Sequence, residues 1–159
     1  GIFMQTKSKW VQLIIAVVGV ELVGSLSGLL AGDIKAIYNS FTLPPFSPPD
    51  RLFGIVWPIL YLMIGIVGYL IFTVRSNYRK TNLTLFIAQL FLNFIWSIVF
   101  FNASSRWTGL LIILVLDVLV FFCIKEFYKS SKLAAYLMIP YFLWILFATY
   151  LTLGTAILN

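Results

Sequence analysis

The sequence contains no histidine, one cysteine and few charged residues. Histidine is the commonest metal ligand, a usual haem ligand and the usual general base, so sites of those kinds are not expected. Because Cys123 is alone, an intramolecular disulfide is excluded. Charged residues make up 10% of the 159 residues, whereas soluble domains carry about 25%. We predict no catalytic residue, no metal site and no bound cofactor, and the shortage of charge argues against a soluble protein.

Apolar residues dominate instead, and they occur in long runs. Hydrophobic side chains make up 62% of the chain, and five runs approach the ~20 residues that a helix needs to cross a bilayer. This pattern predicts an all-α integral membrane protein that forms a single domain over residues 1–159, a bundle of five transmembrane helices. The helices are expected at about 10–31, 53–74, 83–101, 107–127 and 133–158.

The net charge of +6 follows the ends of these runs rather than one basic face, which excludes a nucleic-acid-binding protein. Basic residues are more frequent in cytoplasmic loops. We therefore expect a bacterial cell-membrane protein with its N-terminus in the cytoplasm and its C-terminus outside. One side would hold Lys7, Lys9, Arg75, Arg79, Lys80, Lys125, Lys129 and Lys132, and the other side would hold Lys35, Arg51 and Arg106.

The long connection after the first span has a distinctive composition. Four of the six prolines fall within residues 44–49, so this segment is predicted to be a stiff loop rather than a helix. In the span that follows, Gly54, Trp57 and Tyr61 are spaced by three and four residues, which places them on one helical face. A rigid loop joined to an aromatic helix face suggests a lid over a ligand site.

Glycine and carboxylate side chains within the spans each allow two interpretations. Gly24, Gly28 and Gly32 form a smooth face in the first span, which suits either a homodimer seam or close packing inside the monomer. Glu21 and Asp117 are costly in a membrane unless they pair, protonate or face a polar cavity. They either form a proton or substrate relay or make interhelical hydrogen bonds, and we favour the second for Asp117.

The third and fifth spans each carry a helical face with aromatic or polar residues, as the second span does. Lipid-facing amides would be unsatisfied, so the face with Gln89, Asn93 and Trp96 is predicted to point inward. In the fifth span Trp144 is followed by Ala148, a small residue that leaves room for a ligand ring. Stripes from three helices beside a rigid loop favour a pocket.

These segments together resemble the translocator protein family (TspO, tryptophan-rich sensory protein). The resemblance covers nearly the whole chain in order. It is carried by residues 43–49 with Phe53, Gly54, Trp57, Tyr61 and Gly65, by residues 89–97 and 116–119, and by residues 140–144 and 147–151.

The resemblance implies a commonly dimeric five-helix bundle with a pocket below the first loop. It also implies the partners: porphyrins such as protoporphyrin IX or a haem-related tetrapyrrole, the lipid bilayer, and synthetic isoquinoline- or benzodiazepine-type ligands. Propionate groups would meet Lys35 or Arg51 at the loop mouth. By motif, the pocket would be lined by Trp57, Tyr61, Asn93, Trp96, Trp144 and Ala148, with Pro45 and Phe46 closing it.

The predicted function is that of a membrane receptor or carrier for porphyrins and similar flat apolar ligands. One alternative is an enzyme that degrades porphyrin with light and oxygen, as some family members do. Ile37, Leu43 and Phe46 stand where the family often has Trp, Lys and Trp, which weakens that alternative here. A second alternative is a proton-coupled small-molecule transporter that uses Glu21 and Asp117.

Overall fold

The described part of the chain is helical, with no strand. The computed structural model describes residues 2–74, 76–101 and 105–159, with side chains from Ser8 onward. The helices are α1 (Ile2–Leu30), α2 (Ile34–Ser40), α3 (Arg51–Thr73), α4 (Arg79–Phe101), α5 (Arg106–Tyr128) and α6 (Lys132–Leu158). Five of them, all except α2, are long and apolar enough to cross a membrane, which agrees with the five predicted spans.

Two local features differ from the sequence prediction. Helix α1 begins at Ile2 rather than near Trp10, because the polar residues before the apolar run include no proline or glycine that would stop the helix. The connection from Gly32 to Leu52, treated as loop, contains the short helix α2. Asp33 caps this helix, because its carboxylate accepts a hydrogen bond of 3.2 Å from the Ala36 amide.

The long helices form a closed bundle. Helix α3 packs between α1 and α6, α5 packs between α6 and α4, and α4 returns to contact α1. The core between them is mainly apolar, and side chains such as Ile64, Leu116 and Ile145 have no exposed surface. This arrangement brings α1, α3 and α4 together around one flank of the bundle.

The proline-containing segment lies across one end of the bundle and is attached to α6. The Asn159 side chain bonds both backbone groups of Thr42, and the Tyr150 hydroxyl donates to the Pro45 carbonyl at 2.6 Å. Pro44 packs directly on Gly154. The segment is not helical at residues 41–50, as predicted, and its contacts hold it over the end of α6.

Of the residues that define the predicted topology, the side chain of Lys7 and all of Arg75 lie outside the described residues. Lys9, Arg79 and Lys125 lie at the end of the bundle opposite the proline-containing segment, and Lys35 and Arg51 lie beside that segment.

Candidate ligand-binding site

A cavity of about 400 Å³ opens between α1 and α3, close to the proline-containing end of the bundle. Small-molecule sites typically occupy about 300–1,000 Å³ and have mostly apolar walls. Helix α4 supplies the inner wall through Ser97 and Phe101. The start of α2, at Ile34 and Lys35, and the start of α3, at Asp50 and Arg51, form what we call the mouth of the cavity. We refer to this space as the α1–α3 cavity.

One helical face of α3 provides the aromatic wall. Phe53, Trp57 and Tyr61 follow each other at four-residue steps and all line the α1–α3 cavity. The rings of Trp57 and Tyr61 are stacked, with centroids 5.4 Å apart and planes 24° apart. Trp57 and Tyr61 therefore form one stacked aromatic surface, which suits a flat ring system.

Small residues of α1 provide the opposite wall. A Cβ atom added at Gly24 would overlap the Tyr61 ring, whereas one added at Gly28 would meet nothing within 4 Å. The two glycines therefore have different roles. Gly24 allows α1 to contact α3, and Gly28 leaves open space in the cavity. At Gly24 the small face serves packing inside the monomer.

Charged residues surround the mouth. Lys35, Asp50 and Arg51 line it, and the Asp50 carboxylate accepts a hydrogen bond of 2.7 Å from the Asn39 side chain. That hydrogen bond, with the positive charges of Lys35 and Arg51, lowers the pKa of Asp50 below its ordinary value. The mouth therefore presents two cations and one carboxylate that stays ionised at neutral pH.

The segment beside the mouth is held by Tyr38, which is almost fully buried. Its hydroxyl donates a hydrogen bond of 2.6 Å to the Pro48 carbonyl, and its ring meets Phe53 edge-on at 4.9 Å. Burial raises the pKa of Tyr38, so the phenol remains a donor at neutral pH.

A buried polar chain lies behind the aromatic wall. The Tyr61 hydroxyl donates to the Asn93 side-chain oxygen at 2.9 Å. The Asn93 amide group in turn donates to the Tyr141 hydroxyl at 3.0 Å. These bonds link α3, α4 and α6 and fix the tilt of the Tyr61 ring.

Two tryptophans occupy the same layer. The Trp57 ring centroid lies 6.3 Å from that of Trp96 and 6.1 Å from that of Trp144. The indole nitrogens of Trp96 and Trp144 are buried and have no hydrogen-bond partner among the described residues. Two indole N–H donors without a partner therefore lie behind the Trp57 ring, which forms part of the cavity wall.

The predicted site residues fall into three groups. Asn93, Trp96 and Trp144 pack behind the wall, and Ala148 is buried in α6. Pro45 is on the outer loop, and Phe46 is 90% exposed. Those that line the α1–α3 cavity are Lys35, Arg51, Trp57 and Tyr61.

The two intramembrane carboxylates have different surroundings. Glu21 lines the α1–α3 cavity. Asp117 accepts a hydrogen bond of 2.6 Å from Thr149. This is an interhelical bond between α5 and α6, of the kind favoured from the sequence. Among the described residues, no three His, Cys, Asp or Glu side chains form a group that could hold a metal ion.

Sequence reasoning did not assign Phe53, Phe101 or Ser97 to the site. Phe53 lies four residues before Trp57 on the same helical face, so its spacing was a usable signal. Ser97 and Phe101 lie four residues apart on α4, but nothing in the sequence indicates that α4 reaches the α1–α3 gap.

Comparison with known proteins identifies the family. The TspO/MBR family matches residues 13–158. The tryptophan-rich protein TspO of Archaeoglobus fulgidus is 39% identical over 155 residues, covering 95% of this chain and 97% of the relative. The TspO of Chlorobaculum tepidum is 35% identical over 124 residues (77% and 78%), and the translocator protein of Homo sapiens is 31% identical over 126 residues (77% and 75%). The chain therefore belongs to the TspO/MBR family of membrane receptor and sensory proteins.

Proposed function

We propose that this protein is a membrane receptor or carrier that binds porphyrins and similar flat apolar ligands in the α1–α3 cavity. The observation that carries the proposal is the stacked Trp57–Tyr61 surface beneath a mouth with Lys35 and Arg51. A planar, polarizable ring stacks on such a surface. Carboxylate groups at the edge of the ligand bind the two cations.

The cavity suits this ligand class better than a compact polar one. Apart from the mouth, the polar lining consists of Glu21, three serines and the Tyr61 hydroxyl. Two of these hydroxyls are already used, because Ser27 donates to the Phe94 carbonyl at 3.1 Å and Tyr61 donates to Asn93. The exposed residues Gly54 and Pro58 border the cavity on the α3 side. A ligand dissolved in the bilayer would enter between α1 and α3 without crossing the proline-containing segment.

Asn93, Trp96, Trp144 and Ala148 form the supporting layer in this proposal. They hold Trp57 and Tyr61 in place, and rotation of Trp57 would bring the ligand against the unpaired indole groups of Trp96 and Trp144. Isoquinoline- or benzodiazepine-type ligands, which are also flat and apolar, would use the same surface.

We propose that the proline-containing segment is a roof that closes the mouth, with Pro45 and Phe46 at its outer edge. Its attachment to α6 through Tyr150 and Asn159 supports a fixed rather than a swinging roof. We also propose one domain, a homodimer, and a bacterial cell membrane as the location, with the roof outside.

The test compares ligand affinity in variants of two neighbouring sites. Protoporphyrin IX is titrated into the purified protein and quenching of tryptophan fluorescence is followed. Gly28→Leu fills the α1–α3 cavity and is expected to lower the affinity at least tenfold. Gly19→Leu is the matched control, because Gly19 also has open space around it but does not line the cavity.

Trp144→Ala and Ala148→Phe probe the layer behind the wall. We expect smaller losses there than for Gly28→Leu. If Ala148→Phe abolished binding while Gly28→Leu preserved it, the ligand would lie in the inner layer and the assignment to the α1–α3 cavity would be wrong. Unchanged affinity in all variants would exclude both sites.

Light- and oxygen-dependent degradation remains a second candidate, because Trp57 and Tyr61 are oxidisable rings in the cavity wall. Illumination of the complex tests it, with the porphyrin absorbance band as the readout. Bleaching no faster than that of free porphyrin in detergent would exclude the enzyme and leave the receptor.

A further inference from the structure

A second groove lies at the opposite end of the bundle, where α1, α3 and α4 meet. Its volume is about 400 Å³, and its walls are almost entirely apolar, with Ala16 on α1, Phe72 on α3 and Phe86 on α4. Gln12 is the polar residue at its outer end. From Gln12 to Val20 the groove follows about 12 Å of the α1 axis. We refer to it as the α1–α4 groove.

Basic side chains stand at the outer end of this groove. The guanidinium carbon of Arg79 lies 4.9 Å above the ring centroid of Phe72, a groove residue. Lys9 precedes Gln12 by three residues, and Lys80 precedes Leu83 by three, so both share a helical face with groove residues.

Within the part of the chain that the structure describes, these cations have no carboxylate partner. The chain has five acidic residues, and among the described residues the ion pair that forms joins Glu126 to Lys129. Lys9, Arg79 and Lys80 are exposed. An apolar groove therefore ends beside basic side chains whose charge no carboxylate of the described residues pairs.

We propose that the α1–α4 groove binds an anionic phospholipid, with one acyl chain along α1 and the phosphate against Lys9, Arg79 and Lys80. The chemistry of the two ends matches that of one molecule, since apolar walls suit a hydrocarbon chain and basic residues near a membrane surface attract anionic headgroups. A free anion would use the cations and leave the groove without an occupant. A sterol would fill the groove and leave the cations without a partner. The site is separate from the α1–α3 cavity, so this proposal does not depend on porphyrin binding.

Native mass spectrometry of the protein in detergent tests the proposal. Phosphatidylglycerol and phosphatidylcholine with identical chains are supplied in equal amounts. The unmodified protein is expected to retain phosphatidylglycerol preferentially. Arg79→Gln with Lys80→Gln should lower that retention by about fivefold for each charge removed and leave phosphatidylcholine unaffected.

The matched control is Lys125→Gln with Lys132→Gln. These residues are also exposed and basic at this end of the bundle, but they do not border the groove, so the lipid preference should persist. Ala16→Phe fills the groove and should reduce retention of both lipids. Protoporphyrin IX quenching is measured on every variant and should not change.

Four results would overturn the proposal. Equal retention of both lipids by the unmodified protein would exclude headgroup selection. Displacement of the lipid by inorganic phosphate alone would identify a free-anion site, and displacement by a sterol would identify a sterol groove. If the Lys125→Gln, Lys132→Gln control lost phosphatidylglycerol retention to the same extent, the lipid preference would depend on net charge and not on the groove.

Discussion

The Tyr61 hydroxyl donates a hydrogen bond of 2.9 Å to Asn93 from the wall of the α1–α3 cavity. The bond joins the cavity wall on α3 to the buried centre of α4. It makes the position of an aromatic ring in that wall depend on an amide that does not itself line the cavity.

Tyr61→Phe keeps the ring and removes this bond. Because the Asn93 oxygen would then be buried without a donor, we expect the free energy of unfolding to fall by about 1–3 kcal/mol. Thermal unfolding in detergent measures the change. Tyr69→Phe is the control on the same helix, since Tyr69 is only half-buried; equal losses in both variants would contradict a specific role for the Tyr61–Asn93 bond.

Gly24→Ala and Gly28→Ala form a matched pair on α1. The added methyl group at Gly24 overlaps the Tyr61 ring, whereas at Gly28 it enters open space. Overpacking should cost Gly24→Ala about 1–3 kcal/mol of unfolding free energy. Gly28→Ala should be neutral or gain up to about 1 kcal/mol from helix propensity. A larger loss at Gly28 than at Gly24 would contradict the described packing of α1 on α3.

Phe46 is the non-glycine residue with positive φ in the described chain, at 66°. The left-handed conformation costs an L-residue about 1–2 kcal/mol of folding free energy, and a glycine at this position would avoid that cost. About 0.5–1 kcal/mol of the advantage is lost again, because glycine makes the unfolded chain more flexible. Phe46→Gly should therefore raise the unfolding free energy by about 0.5–1 kcal/mol. Phe46→Ala removes the ring and keeps the strained backbone, so it should not stabilise; a gain in Phe46→Ala would show that the exposed ring is the cause.

In the proposed site, Asp50 would compete with an anionic ligand for Lys35 and Arg51. Asp50→Asn should therefore raise the affinity for protoporphyrin IX by up to about fivefold, the range of exposed ion pairs, and Arg51→Gln should lower it. Fluorescence titration at neutral pH measures both. An unchanged affinity in Asp50→Asn would show that the ligand does not interact with the charged residues at the mouth.

The same carboxylate gives the mouth an acid dependence. Its folded pKa lies below the ordinary value, so its contribution to stability is present above the unfolded pKa of about 3.9 and is lost as the pH falls through the folded pKa. Acid should thus lower the melting temperature less in Asp50→Asn than in the unmodified protein.

The topology prediction is tested by labelling from outside the cell. A maleimide that does not cross the membrane should react with Ser47→Cys and spare Asn77→Cys, because the charge pattern predicts that the proline-containing segment lies outside. Cys123 is fully buried and should not react. The reverse pattern of labelling would invert the proposed orientation.

Helical periodicity predicted the aromatic wall well. Gly54, Trp57 and Tyr61 do share a face, and all three line the α1–α3 cavity. The inward direction of Asn93 was also predictable, since an amide cannot be satisfied by lipid. In both cases the decisive information is local, because the spacing along one helix fixes which residues share a face.

The position of the cavity was not predictable in this way. The Trp144 ring packs against the Trp57 ring and does not line the α1–α3 cavity. This placement depends on how far α6 is rotated relative to α3. The gap between α1 and α3 depends on where Gly24 lets the two helices touch. Such rotations and separations arise from packing among all five long helices, and no single segment contains that information.

The glycine contacts of α1 have a consequence for handling the protein. Gly24 meets Tyr61, and Gly65 on α3 approaches the Val17 backbone so closely that a Cβ there would lie 2.6 Å from the Val17 Cα. Helices in a bilayer associate through close packing rather than through hydrophobic force, so this seam depends on the surrounding solvent. We expect a detergent that penetrates between these two smooth helices to loosen α1 from α3. A preparation could then remain helical by circular dichroism after losing one wall of the cavity, so ligand affinity should be compared between amphiphiles.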